Sequence, residues 1–278
     1  STNLLVVASV LFFVTFCAIY VTFISYFYFI FFSNLHKVYY TLRIWPQTII
    51  PPIITTSLYF IIFGEILFKD KIVYISGNEI PYTEYLISGL IMMSIITNSF
   101  DSTVSSFFGC KFQKNIEELI VSPTPVSIII LGFSLGGILR GLINGFMIYI
   151  VANFFHNIEI SSIYWSIIIS ILISNIFSMA GILNAIFAKH FDDISWFPLF
   201  ILTPMVYLGG VFFSLEMLSG IWKTIILLNP IYHFVTIFRY YLLGIGNSNW
   251  IAVANIAVLN VILFSLNVYY FKKKMIDK

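Results

Sequence analysis

Apolar residues run along this chain in long blocks separated by short polar breaks, and the lengths of the blocks set the architecture. Crossing hydrocarbon as a helix takes about 20 apolar residues. The blocks 49–67, 85–107, 126–151, 163–188, 194–213 and 250–271 meet that measure and predict six spans. A seventh block, 4–32, carries no charge and lacks the basic start of a signal peptide, so residues 1–33 read as an N-terminal extension holding an extra spanning helix without a function of its own. Two stretches depart from the pattern. Across residues 34–45 the apolar Leu35, Val38, Leu42 and Trp45 recur at helical spacing while Lys37, Thr41 and Arg43 face elsewhere, which predicts an amphipathic helix lying in the membrane interface. Across residues 218–243, two apolar pieces flank Asn229-Pro230, each too short to span. They predict a broken helical hairpin, re-entrant or on the outer surface, between the fifth and sixth spans. The fold class is an all-α polytopic membrane protein.

Composition supports this. Hydrophobic residues make up 60% of the chain and charged residues 9%, with mean hydropathy +0.98. Soluble domains carry about 25% charged residues. The net charge of +2 gives no basis for nucleic-acid binding. Cys17 and Cys110 lie far apart and imply neither a disulfide framework nor a metal site. No phosphate-binding G-x-x-x-x-G-K-[ST] loop occurs, so the chain has no such route to ATP. Pro51 and Pro52 fall in the first turn of the first span as drawn above, where a missing N–H costs little.

Basic residues fix the orientation. Lys37, Arg43, Lys111, Lys114, Lys189, Lys272, Lys273, Lys274 and Lys278 collect on one side, and only Lys69, Lys71, Lys223 and Arg239 on the other. The first side, with the loops 108–125 and 188–193 and the basic tail 272–278, is therefore cytoplasmic, and the hairpin is outside.

The most informative polar stretch is 112–121. Phe112, Ile116, Leu119 and Ile120 share one helical face, Lys114, Glu117 and Glu118 fill the rest, and Pro123 and Pro125 stop the helix. An apolar face projecting from the membrane suits docking into a soluble partner. Arg140 lies near the middle of a span, where a charge needs a partner or a watery cavity. Asn98, Asp101, Asn144 and Asn184 are the candidates, with Asn98 or Asn144 preferred to Asp101 on depth. A substrate-path or switching role and a purely structural pairing are equally compatible with it. Gly137, Gly141 and Gly145 form a small-residue stripe for close helix packing. His190, Asp192 and Asp193 read as a connecting loop, since no second cluster completes a metal or acid/base site. No catalytic, cofactor or metal-ligating set is found.

Several spaced positions resemble the pattern of ABC-2 type transporter permeases: Leu208, Gly209 and Val211, then Leu218 and Ser219, then Pro230, Ile231, His233 and Arg239. The stretches 42–64, 107–119, 181–184 and 188–195 are similar to the same family, so that the resemblance covers about residues 23–271. It implies a transmembrane domain over 34–271, in which Phe112, Ile116, Glu117, Glu118, Leu119 and Ile120 belong to a coupling helix docking on a separate ATPase subunit. It also implies a permease homodimer in the bacterial inner membrane, exporting a substrate with ATP hydrolysed by the partner. Aromatic and isoleucine richness is compatible with an amphipathic or lipid-like substrate, and equally with lipid exposure. The alternatives are an ATP-independent channel or a secondary carrier. They would favour paired intramembrane carboxylates or internal repeats, and neither is seen. A membrane enzyme would need a polar cluster at one depth, and His190, Asp192 and Asp193 alone are too little.

Overall fold

The computed structural model describes residues 45–68, 71–75, 78–156, 160–246 and 250–276. The extension 1–33, and all but the last residue of the expected interfacial helix 34–45, lie outside the described residues. Helix α1 (Trp45–Tyr59) continues as a widened helix over Phe60–Leu67. The helix already includes Trp45, the first described residue, so Pro51 and Pro52 lie inside it and not in its first turn, and the carbonyls of Gln47 and Thr48 lose their helical donors.

A strand pair follows, β1 (Ile72–Ile75) antiparallel to β2 (Asn78–Pro81), with Val73 opposite Ile80. This short pair was not expected; every other described element is helical, as the sequence implies. The run Ile72-Val73-Tyr74-Ile75 is β-branched and aromatic, as strands prefer. It is only four residues long and lies in the polar break between two predicted spans. Pro81 ends the hairpin and opens α2 (Tyr82–Phe112), and Pro125 likewise precedes α4 (Val126–Phe155). Between them is the short α3 (Asn115–Val121), then after α4 comes α5 (Ile163–Phe187). The next span is assembled from α6 (Phe191–Phe197), a wide turn at Pro198–Leu202, α7 (Thr203–Val206) and a second wide turn at Tyr207–Val211. Pro198 and Pro204 interrupt its ladder of N–H donors. Helices α8 (Ile221–Leu228) and α9 (Pro230–Leu243) meet at 77°, the broken hairpin expected from Asn229-Pro230. Helix α10 (Trp250–Phe271) closes the bundle and runs on through Lys272–Ile276.

By length and apolarity, four of the described helical stretches can cross a membrane: 126–153, 163–187, 191–211 and 252–276, or five if the bent pair counts as one span. Six were expected. The shortfall lies in α1, whose apolar helix is short, and in α2, which is long enough but diluted by serines, threonines, Asn98 and Asp101. Helix α2 can carry those groups because it lies at the centre, with most of its length buried against α4 and α5. Ser88, Ser99 and Thr103 on it return hydrogen bonds to their own helix, and Ser99 Oγ also meets Ser174 Oγ of α5 at 2.7 Å. The glycine stripe of α4 lets this happen. A Cβ on Gly137 would strike Thr103 and Ser178, and one on Gly141 would strike Ser99. The outward faces are apolar, as Leu135, Leu139, Ile143 and Phe146 on α4 and Val258, Val261 and Ile262 on α10 illustrate. Such faces are stable against lipid.

Candidate functional site

The two ends of α2 carry the two stretches singled out in the sequence. They are separated by about 40 Å, at 1.5 Å for each residue from Tyr85 to Phe112.

At the C-terminal end, Phe112 is the last residue of α2, and the chain turns through Lys114, whose φ of 62° is left-handed, into α3. The apolar face of α3 is divided between the bundle and the surface. Ile116 is buried among Phe107, Phe108 and Ile129, and Leu119 and Ile120 pack half-buried on the same cluster. Phe112, at 61% exposed, rests edge-on against Phe191 with ring centroids 4.7 Å apart. The outer surface of α3 is therefore Gln113, Lys114, Asn115, Glu117, Glu118 and Val121. Three of the four aligned apolar residues seat the helix on the bundle, because burial against Phe107 and Phe108 was available to them.

Lys111, counted from sequence as a loop charge, reaches across to the C-terminus of α5. Its Nζ donates to the carbonyls of Ala185, Ile186 and Ala188 at 3.1, 3.0 and 2.5 Å. These are among the carbonyls that a helix end leaves without partners, and a cation there also complements the helix dipole. Next to it, Asp193 Oδ2 accepts from the backbone N–H of Lys189 and His190, closing the N-terminus of α6. His190 and Asp193 thus form a helix cap. Among the described residues no group of three potential ligands could hold a metal.

At the N-terminal end, Arg239 of α9 is 3% exposed, so the charge assigned from sequence to an outer loop is in fact internal. Its Nε donates to Ser88 Oγ at 2.9 Å, and Nη2 to the carbonyls of Gly210 at 3.1 Å and Tyr85 at 3.4 Å. The guanidinium lies 3.7 Å from the centre of the Tyr85 ring. Tyr85 Oη donates in turn to the carbonyls of Gly210 and Phe213. Those carbonyls are free because the span ends at Gly210, whose φ of 72° suits a residue without Cβ. Gly209 lies against Ile231, where a Cβ would come within 2.8 Å. Asn229 caps α9 by accepting from Ile231 N–H and anchors it by donating to the Met205 carbonyl. His233 Nε2 is 2.9 Å from the Leu227 carbonyl. Gly209 and Arg239 thus sit where the span meets α9, while Pro230 opens α9 and His233 bonds back to α8. Tyr85 and Ser88 are equal members of this Arg239 joint, and nothing in their local sequence marked them.

Arg140 on α4 is half-buried, and its Nε is buried with no hydrogen-bond partner. The expected amide partners are engaged elsewhere: Asn98 Nδ2 with Ser94, Asn144 Nδ2 with the Arg140 carbonyl, and Asn184 Nδ2 with the Ile194 carbonyl. No hydrogen bond or ion pair joins Arg140 to Asp101 among the described residues. Asp101 is exposed in a groove of ≈ 250 Å³ that it lines with Pro51, Pro52, Thr55, Tyr59 and Asn98.

The chain is 44% identical over 225 residues to the inner membrane transport permease YadH of Escherichia coli K12, covering 81% of this chain and 87% of that protein. It is 22% identical over 166 residues to nodulation protein J of Rhizobium leguminosarum bv. trifolii, covering 59% and 63%. The family model described as ABC-2 type transporter matches residues 37–243, a stretch that includes α3, Arg140 and the whole Arg239 joint. The chain therefore belongs to the ABC-2 type transporter family, as a permease subunit.

Proposed function

We propose that this chain is the membrane-spanning half of an exporter in a bacterial inner membrane, working as a homodimer with two separate ATPase subunits. An ABC-2 permease has no ATPase site and no cofactor of its own, and an ATPase subunit is its implied partner. The reading takes α1 and α2 as spans besides the four long apolar helices, which makes six, with α3 and the tail 272–278 cytoplasmic and the α8–α9 hairpin outside. Positive residues support that orientation.

The observation that carries the reading is the cytoplasmic surface around α3. Glu117, Glu118 and Val121 are exposed, while Ile116 fixes the helix to the bundle core. A short helix held from behind and acidic in front is suited to transmit a push. Force from ATP-driven closure of the partner would pass through α3 into α2, and through Lys111 into α5. Reversing both charges, Glu117→Lys with Glu118→Lys, should leave the chain inserted and reduce the ATPase activity of the complex about tenfold. Unchanged activity with the partner still bound would remove α3 as the docking element. Purified chain alone should hydrolyse no ATP.

A further inference from the structure

A second polar pocket, of ≈ 130 Å³, lies at the outer end of α2, between β1, the segment after Gly210 and α9. Its floor is Arg239, whose hydrogen bonds among the described residues all go to neutral acceptors, and no described carboxylate is at ion-pair distance. A guanidinium does not shed its proton, and a buried charge held only by neutral groups is left undercompensated. Ser214 lines the same space; it is 5% exposed, and its hydroxyl oxygen is buried without a partner. An unpaired hydroxyl therefore lies beside a cation that is hydrogen-bonded but has no described carboxylate at ion-pair distance to balance its charge. The mouth has the opposite character. Glu216 is exposed and lines it, with Tyr74 and Tyr232 as aromatic walls.

We propose that this pocket binds a small zwitterion, its oxyanion against Arg239 and Ser214 and its ammonium against Glu216 and the tyrosine faces. The order of charges makes the assignment. A simple anion would meet the Glu216 carboxylate on entry, and a simple cation would have to settle on Arg239. Guanidinium binds oxyanions through paired N–H donors, and ammonium is attracted to aromatic faces. The volume admits a group the size of phosphoethanolamine or an amino acid and excludes an acyl chain. Two sources share this chemistry: the headgroup of a zwitterionic phospholipid in the adjacent leaflet, and a free solute.

The test uses the full chain, purified and delipidated, with binding read by native mass spectrometry and thermal shift. The probes are phosphoethanolamine, glycine, inorganic phosphate, and nanodiscs of phosphatidylethanolamine or of phosphatidylglycerol alone. Phosphoethanolamine or glycine should bind at least tenfold more tightly than phosphate. Retention of phosphatidylethanolamine without binding of either free zwitterion assigns the site to lipid, and the converse assigns it to a solute. Glu216→Gln, at an exposed position, should remove about tenfold of the affinity for the zwitterion and none of that for phosphate. Ser214→Ala should weaken both. Equal affinity for phosphate and phosphoethanolamine, indifference to Glu216→Gln, binding of both lipids in equal amounts, or no binding of any probe would overturn the assignment.

Discussion

Arg239 and Arg140 are both placed among apolar helices, and the structure treats them in opposite ways. Arg239 is wrapped: three acceptors on two other elements take its Nε and Nη2, and the Tyr85 ring covers one face. Arg140 is half-open, with Nε buried and unpaired, and Asn144 Oδ1, one turn along the same helix, buried and unpaired as well. A donor and an acceptor so close together and both unfilled differ from a finished joint. Buried unsatisfied groups of this kind cost about 1–3 kcal/mol each, so the arrangement around Arg140 is retained against a stability cost. A cation whose partners are complete holds two elements in one relation. A cation whose partners are incomplete can change them.

The largest effect should come from breaking the finished joint. Arg239→Ala would leave Ser88 Oγ and the Tyr85 carbonyl without the donor they share, leave the Gly210 carbonyl to Tyr85 Oη alone, and open a void beneath the kink. Removing one member of a buried charged network costs about 3–5 kcal/mol, so the expectation is a large drop in melting temperature or loss of monodisperse protein on size exclusion. Arg239→Lys should recover little, since an ammonium cannot donate along Nε and Nη2 at once while stacking on Tyr85. A variant melting like the parent would show that the wrapped arginine is ornamental and erase the contrast.

Next comes the packing that both arginines depend on. Gly141→Val would drive a branched side chain into Ser99 and toward the Ile95 carbonyl oxygen, 3.0 Å from where a Cβ would sit. Overpacking typically costs about 1–3 kcal/mol. Gly136, with nothing within 4 Å of an added Cβ, is the control on the same helix. Gly136→Ala should be neutral or better by thermal denaturation.

A smaller change is expected at Lys111. Lys111→Met removes the cation from the end of α5 but leaves the helix intact, which should cost about 1 kcal/mol. Hydrogen exchange at Ala185, Ile186 and Ala188, faster in the variant than in Lys111→Arg, would measure it. Unchanged exchange would show that the α5 terminus is held by packing alone.

How much of this was legible follows from the range of each interaction. The apolar blocks gave α5 and α10 within a residue or so, because a membrane span is dictated by the composition of one continuous segment. The hairpin break was also legible, since an Asn cap followed by Pro at the first helical position is a local signal. Pro51 and Pro52 were misplaced because the span was drawn from residue 49, although Pro46 is itself a helix-opening residue and the helix already includes Trp45. The β-hairpin was missed because its strands are only four residues each and sit in the polar break between two predicted spans, although Ser76-Gly77 between them is a turn signal. The face of α3 was read as free, although the periodicity of Ile116, Leu119 and Ile120 says only that they share a side. Whether Phe107 and Phe108 stand behind that side is decided by tertiary structure. The Arg239 joint links positions some 150 apart, and no local pattern reports that Ser88 would face it.

The least effect on stability, and the sharpest test of the contrast, belongs to Arg140. Arg140→Leu removes an unpaired buried Nε and replaces it with a side chain that hydrocarbon accepts. Because guanidinium cannot be neutralised in place, the parent must carry that charge in every state. Relieving it should leave insertion and melting temperature equal to the parent or higher. Asp101 is not stranded by the change, since it is exposed in the groove beside Thr55 and Asn98, where water can hydrate it. If the open arginine serves the transport cycle, the variant should insert, bind the ATPase and lose coupled ATP hydrolysis. Arg140→Lys, which keeps the charge and changes its reach, should fall between that variant and the parent. A fall in melting temperature as large as that of Arg239→Ala would mean that Arg140 is held as firmly as Arg239, and would collapse the distinction between a joint and a switch.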